Sequence, residues 1–420
     1  MGNLEKMRVI KDISGFQILD SRGFPTLCVK IVDSNNEVFR GFAPSGASTG
    51  EREAIELRDG KKGYYMEKSV ESCFDKINEI KEHFIGMPLN SLENLDAKLI
   101  ELGGDFQKTR IGGNTATALS FGFAHAVSGN SDELYKSFRS EFAPELKDEY
   151  FTPKPLVNII NGGKHAGNDL MIQEFMIVPR DMSDIKEAIS KVVNVYHNLG
   201  KIIKNKYGAS ATAIGDEGGY APNIKSAREA LNLLSEAVLQ SGYKLGKDIM
   251  FSLDCAASEF HDNGLYQIEK NKWFNREEAI AYYVELTREY PILSIEDPFD
   301  ENDFESWKQL REQMKSSVLL VGDDLYTTNP AYVKRGLNEG WAETLLLKVN
   351  QIGTISESVQ SVNLIKNANG HVIVSHRSGE TNDTTIIDLA YGLGAEYVKI
   401  GAPCRGERVA KFNRMLEIES

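Results

Sequence analysis

The chain has 420 residues, with 48 Lys+Arg against 61 Asp+Glu and a formal net charge of −13. At 41% hydrophobic and 26% charged residues it reads as a globular protein with a sizeable core, long enough for about two or three domains. The acidic balance excludes nucleic acid as the main partner, because that needs a basic stripe, but allows a small anion held by a local cluster of cations.

No run approaches ~18 consecutive apolar residues, so no membrane partner is expected. The opening MGNLEKMRVIKD lacks the apolar centre of a signal peptide. Cys28, Cys73, Cys255 and Cys404 are scattered and form no C-x-x-C pair, so reduced thiols and a cytoplasmic location are expected. Strand-like runs come first, at Phe16–Leu19, Thr26–Val32 and Glu37–Phe42. In the second, Leu27, Val29 and Ile31 share one face, and Cys28 and Lys30 the other. Helical stretches follow at about 69–85, 91–103 and 113–128. Strands followed by helices predict an α+β domain, a small meander sheet with helices, over residues 1–145. Charge and proline then cluster in EFAPELKDEYFTPKPL, which marks a boundary.

Over 146–420 the pattern changes. Eight short apolar runs recur: LVNII, IQEFMIV, IMFSLD, ILSIED, VLLVGD, TLLLKV, HVIVSH and EYVKI. They lack alternation, as strands buried on both faces should. Two helices stand between the second and third runs. In the first, Ile185, Ala188, Ile189, Val192, Tyr196, Leu199 and Ile203 form a stripe. In the second, Ala227, Ala230, Leu231, Leu234 and Val238 do so, with Ser226 and Glu229 as a capping box and Gly242 as a stop. The first two runs are too close for a crossover helix and predict a hairpin. The expected fold is therefore α/β, an irregular β/α barrel with ββαα followed by six βα units.

Barrel enzymes place their chemistry at the C-terminal strand ends. Those ends carry Asp254, Glu296, Asp323, Lys348, His376 and Lys399, separated by 42, 27, 25, 28 and 23 residues. Asp254, Glu296 and Asp323 repel one another unless a cation sits among them, and hard oxygen ligands favour Mg²⁺. Lys348 and Lys399 end apolar runs, so both are expected to be substantially buried, and burial near a divalent cation disfavours the ammonium form and can turn a Lys into a general base. His376-Arg377-Ser378 has the make-up of a phosphate grip. Two glycine-rich segments, Asn161 to Asn168 with His165 and Gly215 to Asn223 with Glu217, add further candidates, as does the pair Gln173-Glu174.

The segments PSGASTG, NIINGGKHAGNDLMIQEFMIVP, GDEGGYAPN, LDCAASEF, SIEDPFDEND, VGDDLYTTNP, LLLKVNQIGT, VSHRSGET and GAPCRGER resemble the enolase (phosphopyruvate hydratase) family, in the family's order. The resemblance implies a hydro-lyase. It would reversibly dehydrate 2-phosphoglycerate to phosphoenolpyruvate, in glycolysis and gluconeogenesis, through a Mg²⁺-stabilised ene-diolate.

It implies Lys348 as the base and Glu217, supported by Glu174, as the acid. Asp254, Glu296 and Asp323 would be ligands of one Mg²⁺, and Ser48 would help hold a second. His165, Gln173, His376, Arg377, Ser378 and Lys399 would bind substrate. It further implies a phosphorylated acid as the small-molecule partner and a homodimer or octamer. The chain departs from the family pattern at Phe24, Gly113, Thr115 and Asn382, none of which carries an assigned role. The alternatives are a dehydratase of another acid substrate, or a paralogue with a binding role.

Overall fold

The computed structural model describes residues 7–47, 50–146 and 151–420, apart from the side chain of His165. The N-terminal part opens with an antiparallel meander of β1 (Ile10–Leu19), β2 (Pro25–Asp33) and β3 (Val38–Phe42), in the order β1-β2-β3. The sheet is as expected, but its first strand starts six residues earlier than the pattern suggested (10 against 16). Cys28 is fully buried like its neighbours Leu27 and Val29, so the central strand is covered on both faces rather than alternating.

Helices α1 (Ser72–Ile80), α2 (Leu92–Gly103), α3 (Gly113–Ser128) and α4 (Leu134–Phe142) follow. The apolar α3 lies across the sheet, and Gly41 permits the approach. A Cβ there would stand 2.1 Å from Ala118 O and 2.2 Å from Gly122 N. Gly113 is needed in the same way, because a Cβ would meet that of Ala54 at 2.7 Å. The Phe24 ring is covered by Lys68 Nζ at 3.9 Å from its centroid.

The second part is a closed eight-stranded barrel. Its first strands, β4 (Lys154–Asn161) and β5 (Glu174–Pro179), pair antiparallel as a hairpin. Then come α5 (Ile185–Tyr207), α6 (Ala227–Gln240) and β6 (Ile249–Asp254), which pairs antiparallel with β5. The predicted stripes face the barrel, except that Ile189 is only half-buried. Ser226 accepts from Glu229 N at 3.2 Å, but the Glu229 carboxylate turns to Lys225 N, so only half of the capping box forms. A small sheet not anticipated from sequence, β7 (His261–Asp262), β8 (Leu265–Glu269) and β9 (Lys272–Phe274), fills the long gap after Asp254.

Strand–helix units complete the barrel: α7 (Arg276–Glu289), β10 (Ile292–Glu296), α8 (Phe304–Gln313), β11 (Leu319–Gly322), α9 (Pro330–Glu339), β12 (Thr344–Leu347), α10 (Val349–Ile352), α11 (Ile355–Asn367), β13 (His371–Ser375), α12 (Thr385–Leu393), β14 (Tyr397–Lys399) and α13 (Gly406–Ile418). Leu156, Met176, Val178, Val321, Leu346 and Ile373 plug its interior. The N-terminal part docks through α2 and α3 against α11. There the Asp96 carboxylate accepts from Ser356 N at 3.0 Å and Ser356 Oγ at 2.8 Å, and Ser120 Oγ accepts from Ile355 N at 3.0 Å. Among the described residues no helix is long and apolar enough to cross a membrane.

Candidate active site

Strand register builds the site. Glu174 pairs with Asp254 across β5 and β6, and Asp254 pairs with Glu296 across β6 and β10. Because β5 runs opposite to its neighbours, its first residue lies at the same barrel end as their last ones. Three carboxylates therefore stand side by side. The Lys399 ammonium, from the end of β14, lies 3.3 Å from Glu174, 2.9 Å from Asp254 and 2.9 Å from Glu296. Burial alone would lower the Lys399 pKa. Asp254, Glu174 and Glu296 outweigh it and hold the group well above the usual lysine range.

Lys348 follows β12 and donates to Asp323 Oδ2 at 2.5 Å. Burial again pushes its pKa down, and Asp323 reverses the push, leaving it raised. Lys399 is buried and Lys348 half-buried, and in each the neighbouring carboxylates hold the pKa above the ordinary lysine value. Asp323, also accepting from Gln351 Nε2 at 2.8 Å, stays below the usual carboxylate range: burial would raise it, and Lys348 pulls it down.

Glu217 lies in the loop between α5 and α6 and accepts from Asn158 Nδ2 at 3.0 Å. His376 Nε2 is 3.4 Å away. Burial pushes His376 down to about 4, so the ring is neutral near pH 7. Arg377 grips Glu53 with two bonds, at 3.0 and 3.2 Å. Ser378 Oγ accepts from Ala47 N at 2.8 Å.

The structure thus gathers Gln173, Glu174, Glu217, Asp254, Asp323, Lys348, His376, Arg377, Ser378 and Lys399 around one cleft, with Glu296 behind Lys399. Ser48 lies outside the described residues. His165 ends the turn Gly163–His165, and its side chain also lies outside them.

Several neighbours were not singled out from sequence. Glu53 and Asn350 hold Arg377, and Gln351 joins Glu53 to Asp323. Arg408 of α13 donates to the Arg377 and Ser378 carbonyls at 2.6 Å each. Asn350 and Gln351 sit in a quoted motif beside Lys348, which is a usable signal. Arg408 likewise closes the quoted motif GAPCRGER, although the spacing of its helix says nothing of the cleft.

The donor set fits a hard divalent cation. All the acids offer oxygen, and Gln173 Oε1 is buried without a hydrogen-bond partner among the described residues. Glu174, Glu296, Asp297 and Asp324 are all held well above the usual carboxylate range, by burial first and by a neighbouring carboxylate next. Surplus buried negative charge of this kind is what a divalent cation relieves.

Residues 10–137 match the family described as the enolase N-terminal domain, and residues 149–420 that described as the enolase C-terminal TIM barrel domain. The chain is 44% identical to an enolase of Methanocaldococcus jannaschii over 412 residues, covering 98% of this chain and 95% of that one. Matches across nearly the whole length, on a barrel with this hairpin start and this cluster of acids and lysines, place the chain in the enolase family.

Proposed function

We propose that the protein reversibly dehydrates 2-phosphoglycerate to phosphoenolpyruvate, as a hydro-lyase of glycolysis and gluconeogenesis in the cytoplasm. The observation that carries this reading is the pairing of a lysine with an acid in one cleft. Lys348 lies against Asp323, and Glu217 lies beside Glu174 and His376. Neither another acid substrate nor a binding role without turnover is favoured, given full-length similarity to an enolase.

Lys348 Nζ, in its neutral form, takes the proton from C2 of the substrate. Glu217, next to the protonation-prone Glu174, gives a proton to the C3 hydroxyl, which leaves as water. Arg377 and Ser378 face the phosphate, with His165 and His376 nearby. Lys399 and Gln173 face the carboxylate. Asp254, Glu296 and Asp323 would hold one Mg²⁺, and Ser48 would contribute to a second. Bound there, the two ions would supply the positive charge that stabilises the ene-diolate dianion and would compete with Lys348 for the Asp323 carboxylate. The enolase superfamily is a known case of a Lys or His base working with one or two Mg²⁺.

The test is the rise of phosphoenolpyruvate absorbance from 2-phosphoglycerate with millimolar-range Mg²⁺. EDTA should abolish it and excess Mg²⁺ should restore it. No turnover under saturating substrate would refute the proposal. The working unit is a homodimer or an octamer, and a monomeric mass in sedimentation equilibrium would contradict that.

A further inference from the structure

We propose that Asp297 is a positioning residue that locks together the three strand ends carrying Asp254, Glu296 and Asp323, and through them shapes the divalent-cation site. The inference rests on the metal reading above. Asp297 directly follows Glu296, is 3% exposed, and holds φ at +41°, in the left-handed region that non-glycine residues rarely occupy. Such a conformation persists only where its surroundings over-determine it, and it gathers at functional sites.

Hydrogen bonds to both neighbouring strand ends over-determine it here. Its N–H donates to Val321 O of β11 at 3.1 Å, and its C=O accepts from Ala257 N beyond β6 at 3.0 Å. Its two carboxylate oxygens accept from Asp323 N at 3.0 Å and Asp324 N at 2.7 Å. One residue therefore bonds to the segments that follow β6 and end β11 while it continues β10. Asp254 closes β6, Glu296 closes β10 and Asp323 directly follows β11, so each of the three strand ends carries one candidate ligand.

The carboxylates of Asp297, Asp323 and Asp324 come within 4.8 Å of one another. Both Asp297 oxygens are committed to main-chain donors, so its role is to orient Asp323 rather than to bind an ion itself. Partners one shell out commonly decide how well first-shell ligands converge.

The test is calorimetric titration with Mg²⁺ alone, without substrate, on the wild-type protein, D297N and D297G. Asparagine keeps the size of the side chain and tolerates positive φ, but it replaces one acceptor oxygen with a donor. The Mg²⁺ dissociation constant is expected to rise about 10- to 100-fold in D297N. D297G, which suits the backbone and removes both acceptors, should rise at least as much, and it carries the test if D297N does not fold.

Affinities within about threefold of wild type would overturn the proposal, whatever happens to the melting temperature in EDTA, because a role in folding alone lowers that temperature and leaves affinity intact. Hydrogen exchange on the wild-type protein needs no variant. Mg²⁺ should slow the Asp323 and Asp324 amides by about tenfold or more, and unchanged rates would equally overturn it. Wild-type protein that takes up no Mg²⁺ would instead remove the metal reading, and this inference with it.

Discussion

Lys348→Ala is expected to abolish exchange of the C2 proton of 2-phosphoglycerate with deuterated water and to lower kcat about 10²- to 10⁴-fold. Glu217→Gln should keep the exchange and lose product formation to a similar degree. The two variants should differ because the proposed base and acid act on different atoms. Removing Lys348 takes away the proposed base, and the other lysine of the cleft, Lys399, is engaged by three carboxylates. Replacing Glu217 leaves the Lys348–Asp323 contact untouched, because the acid sits on a different loop against Asn158 and His376. Proton NMR follows the exchange and absorbance follows product. Equal loss of exchange in both variants would refute the assignment of base and acid.

The largest effect on stability is expected at Lys399. Its ammonium is buried among Glu174, Asp254 and Glu296, so Lys399→Met leaves three acids close together without their cation. Breaking a buried ion pair by removing one partner costs about 3–5 kcal/mol. The pH dependence has a definite sign. Glu174 and Glu296 already have folded pKa values raised above the ordinary 4.5, by burial first and by a neighbouring acid next. Losing Lys399 raises them further, so between the unfolded and folded values the native state binds more protons than the unfolded one. Stability then falls as pH rises, and the deficit of the variant should be smaller at about pH 5 than at about pH 8. Denaturant midpoints at the two pH values measure it. A deficit independent of pH would mean that the three acids do not sense Lys399.

How far the fold could be read ahead of the structure depended on the kind of signal. Barrel strands are buried on both faces, so runs such as TLLLKV and HVIVSH stood out, and six of the eight carried an ionisable residue at or next to their end, where the strands open into a cleft. The hairpin start followed from a gap too short for a helix. The β7–β9 sheet lies in the gap of 42 residues after Asp254, which is longer than the other gaps but gave no strand pattern of its own. Helix α4 went unread, although Leu134, Tyr135 and Phe138 are buried, because it is short and abuts the charged, proline-containing boundary. The alternation in β2 misled at Cys28. A small apolar thiol is compatible with either face, and the second face is covered too.

The cleft divides in the same way. Acids and lysines at strand ends announce themselves by position. Glu53, which binds Arg377, and Arg408, which holds the Arg377 and Ser378 carbonyls, come from elements distant in sequence. Only the folded chain brings them together. The contact of Lys348 with Asp323 was hidden for a related reason: the apolar run was visible, but the partner across the barrel was not.

The proposed chemistry requires three acids to share an ion and so free the amine beside them. A crystal structure with Mg²⁺ and 2-phosphoglycerate tests it most directly. The expected result is one ion bound by Asp254, Glu296 and Asp323 at about 2.0–2.1 Å, with Lys348 Nζ turned from Asp323 toward C2 of the substrate. An ion seated instead on Asp297 and Asp324, or Lys348 still bound to Asp323 with substrate in place, would contradict it.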